Sequence, residues 1–183
     1  MVLGLSVGTR YVGMAVLEGA TLKNWREKAF HGQWSAVKLS KILKAVRTEI
    51  ELYAPLALAV KRVHRSRSSQ GLECLIMEIK SLAEQRKLPV YEYPLGALLR
   101  AFVPNKSRPT RKDMARGLAS LYPILQTEAE REMKNRIPYY IWLFEAVAAG
   151  LLCSRLIEIE TVRHIRGMGS GTSLAAALPH GNV

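Results

Sequence analysis

The side chains of this sequence that could do chemistry are mostly cations. Lys61-Arg62-Val63-His64-Arg65-Ser66-Arg67 puts Lys61, Arg62, Arg65 and Arg67 within one heptapeptide. A second cluster, Lys106, Arg108, Arg111 and Lys112, lies in a polar loop further on, and Arg131, Lys134 and Arg136 extend the series. Clusters like these bind phosphate oxygens, and on a chain of net charge +12 and pI near 10 they point to a nucleic-acid partner. The acidic side is poor: of 15 acids, 14 are glutamate and Asp113 is the sole aspartate. Mg²⁺ held against phosphate demands tight octahedral geometry, usually from short carboxylates. A site built from two or more aspartates is therefore excluded.

Other reactive groups carry weaker signals. His31, His64, His164 and His180 lack metal-ligand spacing. Cys74 and Cys153 sit in apolar helical patterns with no CxxC and read as reduced core thiols. Ser6 has no histidine in its pattern to activate it. Gly169 to Ser173 lacks the Gly-Lys-Ser/Thr ending of a phosphate loop and any strand before it, so it reads as a linker. Trp25, Trp34 and Trp142 offer rings for stacking on bases, but Trp142 lies in an apolar helix and is expected to pack there. No uncharged apolar run is long enough to span a bilayer, and no secretion signal is evident. With 49% apolar and 23% charged residues, the composition predicts a soluble, cytoplasmic globular protein.

The elements that must position these groups follow from periodicity. Val2 to Val7, Tyr11 to Leu17 and Thr21 to Phe30 read as a three-strand antiparallel meander. Ser35 caps a predicted helix to about Leu52, which Pro55 stops. Leu56 to Val63 is a continuous apolar strand interrupted at Lys61, of the kind buried on both faces. Ser68 or Ser69 opens a helix to about Arg86, Leu88 to Tyr93 is a further strand, and Pro94 starts a short helix. Thr110 caps a helix through Leu121, with Asp113 at its third position, where the helix dipole favours an anion. Gln126 to Arg136 has no clear pattern, and Tyr139 to Ile159 is a strong final helix. The fold class is α/β: a five-stranded mixed sheet, antiparallel β1-β2-β3 plus parallel β4 and β5, with helices on both faces. Residues 1–160 form the domain and 161–183 a flexible tail.

The run Leu3-Gly4-Leu5-Ser6-Val7-Gly8-Thr9-Arg10-Tyr11-Val12-Gly13-Met14-Ala15-Val16-Leu17 resembles the first hairpin of RuvC-type Holliday-junction resolvases, in the ribonuclease H-like superfamily. Three further segments are similar to that family in the same order. Leu58 to His64 resembles its central strand, Leu88-Pro89-Val90-Tyr91-Glu92-Tyr93-Pro94 its fifth strand with Lys106 to Leu121 the basic loop and helix after it, and Ile141 to Leu152 its last helix. The resemblance covers about residues 1–156. It implies phosphodiester hydrolysis by two metal ions clamped between four carboxylates. Carried over by position, those acids fall on Ser6, Lys61, Trp142 and Glu145, and only Glu145 keeps a carboxylate.

A serine hydroxyl is a poor ligand for Mg²⁺, and a lysine ammonium beside a metal costs several kcal/mol of repulsion by order of magnitude. The expectation is a metal-free site in which Lys61 and Glu145 neutralise one another, with Trp142 packed where a metal would sit. Nucleic-acid binding is then assigned to Arg10, Lys61, Arg62, Arg65, Arg67, Lys106, Arg108, Arg111 and Lys112, with duplex or branched DNA as the partner and no cofactor. One alternative is a structure-selective endonuclease that recruits Glu18, Glu73 or Glu92 beside Glu145 and needs Mg²⁺. Another is a partner-binding module, marked by a plugged cleft and scattered basic residues. The resemblance also suggests a homodimer.

Overall fold

The structure, a computed structural model, describes residues 1–64, 68–136 and 139–169, with only the helix backbone beyond Arg163. Its strands are β1 (Val2–Val7), β2 (Tyr11–Glu18), β3 (Thr21–Ala29), β4 (Ala57–Arg62) and β5 (Val90–Pro94). They form one sheet in the order β3-β2-β1-β4-β5. β1 runs antiparallel to β2 and parallel to β4, and β4 runs parallel to β5. β1 is thus the central strand, and all six of its residues are buried. That explains an apolar run with no polar alternation.

Alternation reappears in what each face meets. Leu3, Leu5 and Val7, with Leu58 and Val60, pack on α1 (Ala36–Tyr53) and α2 (Gln70–Gln85) through Ile42, Val46, Leu75 and Ile79. The opposite face is small: Gly4, Ser6, Gly13, Ala15, Ala57 and Ala59. Over it lies α6 (Ile141–Gly169), joined by α3 (Leu95–Phe102), α4 (Arg111–Leu121) and α5 (Gln126–Lys134). Helices therefore cover both faces of the sheet, as expected.

The small residues set how close α6 can come. A Cβ on Gly4 would strike the Ala146 carbonyl, and one on Gly13 would strike the Trp142 carbonyl. Backbone-to-backbone docking of this kind fixes the helix in rotation as well as height, because no flexible side chain separates the two. It settles where Trp142 and Glu145 aim.

The caps read from sequence are present. Ser35 Oγ accepts from Lys38 N–H at 3.2 Å, and Ser69 Oγ accepts from Leu72 N–H at 3.3 Å. Thr110 and Asp113 form a reciprocal capping box on α4. Two elements differ from expectation. The unpatterned stretch after Gln126 is α5, which buries little beyond Ala129 and Glu132 and so carries almost no apolar stripe. The last helix continues to Gly169 instead of ending near Ile159. Between them lie helix-compatible polar residues such as Glu160 and Arg163, with no proline to stop the turn. Residues 170–183, the end of the expected tail, lie outside the described residues.

Candidate functional site

Ser6 ends the buried face of β1, Lys61 the corresponding face of β4, and Trp142 and Glu145 are neighbours on the first turns of α6. The tight docking of α6 draws all four together. Ser6 Oγ donates to Glu145 Oε2 at 2.6 Å, and Lys61 Nζ lies 3.3 Å from the same oxygen. Arg111, the first residue of α4, brings Nε to 3.1 Å from Glu145 Oε1, in ion-pair range without hydrogen-bond alignment. Lys61 Nζ also stands 5.2 Å from the centre of the Trp142 ring, where the ring's negative face attracts it.

Glu145 and Ser6 are wholly buried and Lys61 nearly so. A carboxylate so deep is expensive unless its partners compensate. Here it has two cations and a hydroxyl, so the cluster is balanced from within, with one positive charge to spare. The expected Lys61–Glu145 pair is present. Ser6, read from sequence only as a missing acid, is Glu145's shortest contact, and Arg111 is a second cation on it that the spacing gave no reason to expect.

Outside the cluster lies an open pocket of about 570 Å³. Lys61, Arg62, His64, Arg111, Trp142 and Leu95 line it. Its position at the carboxyl ends of the parallel strands β1 and β4 is where α/β sheets hold ligands. Trp142 lines this pocket and also reaches the β1–β2 turn, where a Cβ on Gly8 would come within 2.8 Å of its ring. The wall is thus an aromatic and apolar surface studded with cations.

The predicted binding residues do not all gather there. Lys61, Arg62 and Arg111 do. Lys112 turns away, its ammonium donating to Met133 O at 3.2 Å and Asn135 O at 3.3 Å at the end of α5. Lys106 pairs with Asp113 at 2.8 Å. That ammonium, with the hydroxyl and N–H of Thr110, holds the Asp113 carboxyl well below the usual carboxylate range. Arg10 lies over Tyr11, 5.5 Å from its ring centre, and Arg108 is exposed. Arg65 and Arg67 fall outside the described residues. Of the alternative acids, Glu18 pairs with Lys23 and Glu92 with Lys80, while Glu73 sits in the first turn of α2. Among the described residues, no group of three or more His, Cys, Asp or Glu side chains is arranged to hold a metal ion.

A second charged cluster, missed from sequence, lies between β3, α5 and the start of α6: Glu27, Glu128 and Glu132. The i,i+4 spacing of Glu128 and Glu132 was a visible signal for their sharing one helix face.

A central strand paired antiparallel on one side and parallel on the other, with a long helix laid across it, is a ribonuclease H-like α/β fold. Within that class it is a RuvC-type resolvase-like fold. The chain is similar to Thermus thermophilus RuvC in complex with a Holliday junction substrate, with a TM-score of 0.67 at 17% identity over 87% of this chain and 96% of that one. It is similar also to the Fowlpox virus resolvase in complex with Holliday junction DNA, with a TM-score of 0.53 at 12% identity over 85% and 99%. The yeast mitochondrial Holliday junction resolvase matches with a TM-score of 0.53 at 11% identity over 91% and 82%. No protein-family model matches the chain, and no curated protein matches it. Among the described residues, no helix is long and apolar enough to cross a membrane.

Proposed function

We propose that this chain binds duplex or branched DNA at the pocket beside Lys61, Arg62 and Arg111 and does not cut it. One observation carries the reading: the single carboxylate at the four acid positions, Glu145, is already engaged by Ser6, Lys61 and Arg111. A two-metal centre does not fit these residues. Two divalent ions need several anionic oxygens, whereas this site offers one carboxylate and two cations. A divalent ion about 5 Å from Lys61 meets repulsion of several kcal/mol, by order of magnitude, even at an effective dielectric of about 20. The same cations that exclude a metal attract phosphate.

The relatives support the binding half of the reading, since the RuvC and Fowlpox structures both hold Holliday junction DNA. A homodimer, working in the cytoplasm, belongs to the same proposal, and a light-scattering mass equal to one chain removes the dimer. Fluorescence anisotropy against four-way junction, duplex and single-stranded DNA at two salt concentrations tests the binding. Salt-sensitive affinity for the junction or duplex is expected, and its absence for all three overturns the proposal. Junction cleavage with Mg²⁺ or Mn²⁺ that Glu145→Gln abolishes would establish the nuclease alternative instead.

The partner-module reading has an observation of its own: Lys106 and Lys112 spend their charges on Asp113 and on the end of α5. Failure to bind any of the three DNAs would favour it.

A further inference from the structure

The pocket beside Glu145 is larger and more apolar than a phosphate alone requires. At about 570 Å³ it falls within the roughly 300–1,000 Å³ typical of sites for small organic molecules. Its lining divides in two: Lys61, Arg62 and Arg111 supply cations, while Val63, Leu95 and Trp142 supply apolar surface. Glu145 does not consume those cations. One carboxylate meets both Lys61 and Arg111, which leaves a positive charge over. Arg111 spends its Nε on the glutamate and is still 28% exposed. Arg62 is exposed and makes no ion pair among the described residues. The first turn of α3 begins at the same place, with Leu95 and Gly96 in the lining and no side chain capping that turn. Its unpaired N–H groups add to the pull on an anion.

An anion with a flat apolar body matches both halves of this lining. The phosphates and sugars of a paired duplex would use the cations and leave the apolar wall wet, because the bases stay stacked inside the helix. An unstacked base covers such a wall, packing on aromatic rings and guanidinium planes whatever its sequence. We propose that this pocket takes a single nucleotide, its phosphate on Arg62 and Arg111 and its base against Trp142, Leu95 and Val63. The nucleotide is a free nucleoside phosphate or an unpaired position in a strand. The inference deepens the reading of this pocket as a DNA site and rests on it. Binding needs no divalent ion, since the arginines meet the phosphate directly.

Calorimetric titration of the full chain in EDTA, with deoxyadenosine monophosphate, tests the free source. Ribose 5-phosphate and deoxyadenosine are titrated as its two halves. Fluorescence anisotropy tests the strand source, comparing a duplex that carries one bulged adenosine with a twin abasic at that position, so that the phosphates are equal in number. A free source gives one-to-one binding of the nucleotide, about tenfold or more tighter than either half. A strand source gives the bulged duplex about tenfold tighter binding than its abasic twin. Arg62→Ala, at an exposed position, weakens the ligand that binds by about tenfold with an unchanged circular dichroism spectrum. Unchanged affinity in that variant overturns the inference. So does ribose 5-phosphate binding as tightly as the nucleotide together with equal affinity for the two duplexes. Salt-sensitive binding of paired duplex with no dependence on the base overturns this inference alone, whereas a chain that binds neither nucleotide nor any DNA overturns the DNA reading with it.

Discussion

Lys61 and Glu145 form a buried ion pair across the β4–α6 contact, their side chains 7% and 0% exposed. Position and partner matter more than the count of charges. The lysine caps the carboxyl end of a parallel strand, and the glutamate hangs from a helix pressed onto that strand. Each supplies what the other lacks, the glutamate wholly buried and the lysine at the floor of the pocket.

Breaking the pair strands one charge. Lys61→Met leaves Glu145 with Ser6 and Arg111 only and is expected to cost about 3 kcal/mol, the low end for a buried pair, because two donors persist. Lys61→Met combined with Glu145→Leu removes both charges and costs less than the sum of the single changes. Urea denaturation of the four proteins of this double-mutant cycle measures the coupling.

The cluster also shows how a metal site would be made. Ser6 Oγ and Lys61 Nζ approach the same oxygen of Glu145, at 2.6 and 3.3 Å. Carboxylates in both places would converge on one point. Ser6→Asp with Lys61→Glu is expected to bind Mn²⁺ in a calorimetric titration, and the unaltered chain is not.

Basic residues near the pocket should divide into two kinds. Arg62→Ala removes an exposed cation facing the pocket, lowering DNA affinity and reducing the slope of log K against log salt by about one. Lys112→Ala leaves that slope unchanged and lowers the melting temperature, since its ammonium serves the carbonyls of Met133 and Asn135.

Glu27 makes folding stability depend on pH in a definite direction. Its carboxyl rises from 4.5 to about 8 on folding, chiefly by burial and then by Glu132. The folded chain therefore holds a proton that the unfolded chain has released, and stability falls as pH climbs from about 4.5 to about 8. Glu27→Gln has no charge to lose. Its melting temperature should exceed the parent's by a margin that is small at pH 5 and larger at pH 8.

How much was legible in the sequence depended on the range of the interaction. Ser35, Ser69 and Thr110 announced their helices because a cap acts over three residues. The small-residue face of β1 and β4 was legible as strand but not as a seat for α6. Its meaning needs a helix far away in the chain. The resemblance located Ser6, Lys61, Trp142 and Glu145, and their convergence followed from it. Arg111's contact with Glu145 was hidden, because it depends on how α4 is hung from α3. Lys106 and Lys112 looked like ligand residues since a charge in a sequence shows no partner, and each turned out to have one. The Glu27 cluster was only half legible: the spacing of Glu128 and Glu132 put them on one helix face, but Glu27 comes from a distant strand.

The glycine-lined seat for α6 has a consequence for synthesis. Ser6 and its partner Glu145 stand 139 positions apart. At about 5–20 residues per second, the hairpin leaves the ribosome on the order of ten seconds before the helix that covers it. During that interval α1 and α2 can close one side of the nascent sheet while the other stays bare. The domain is sealed last at its oldest strand, so the newborn chain depends on its final helix arriving before another apolar surface does.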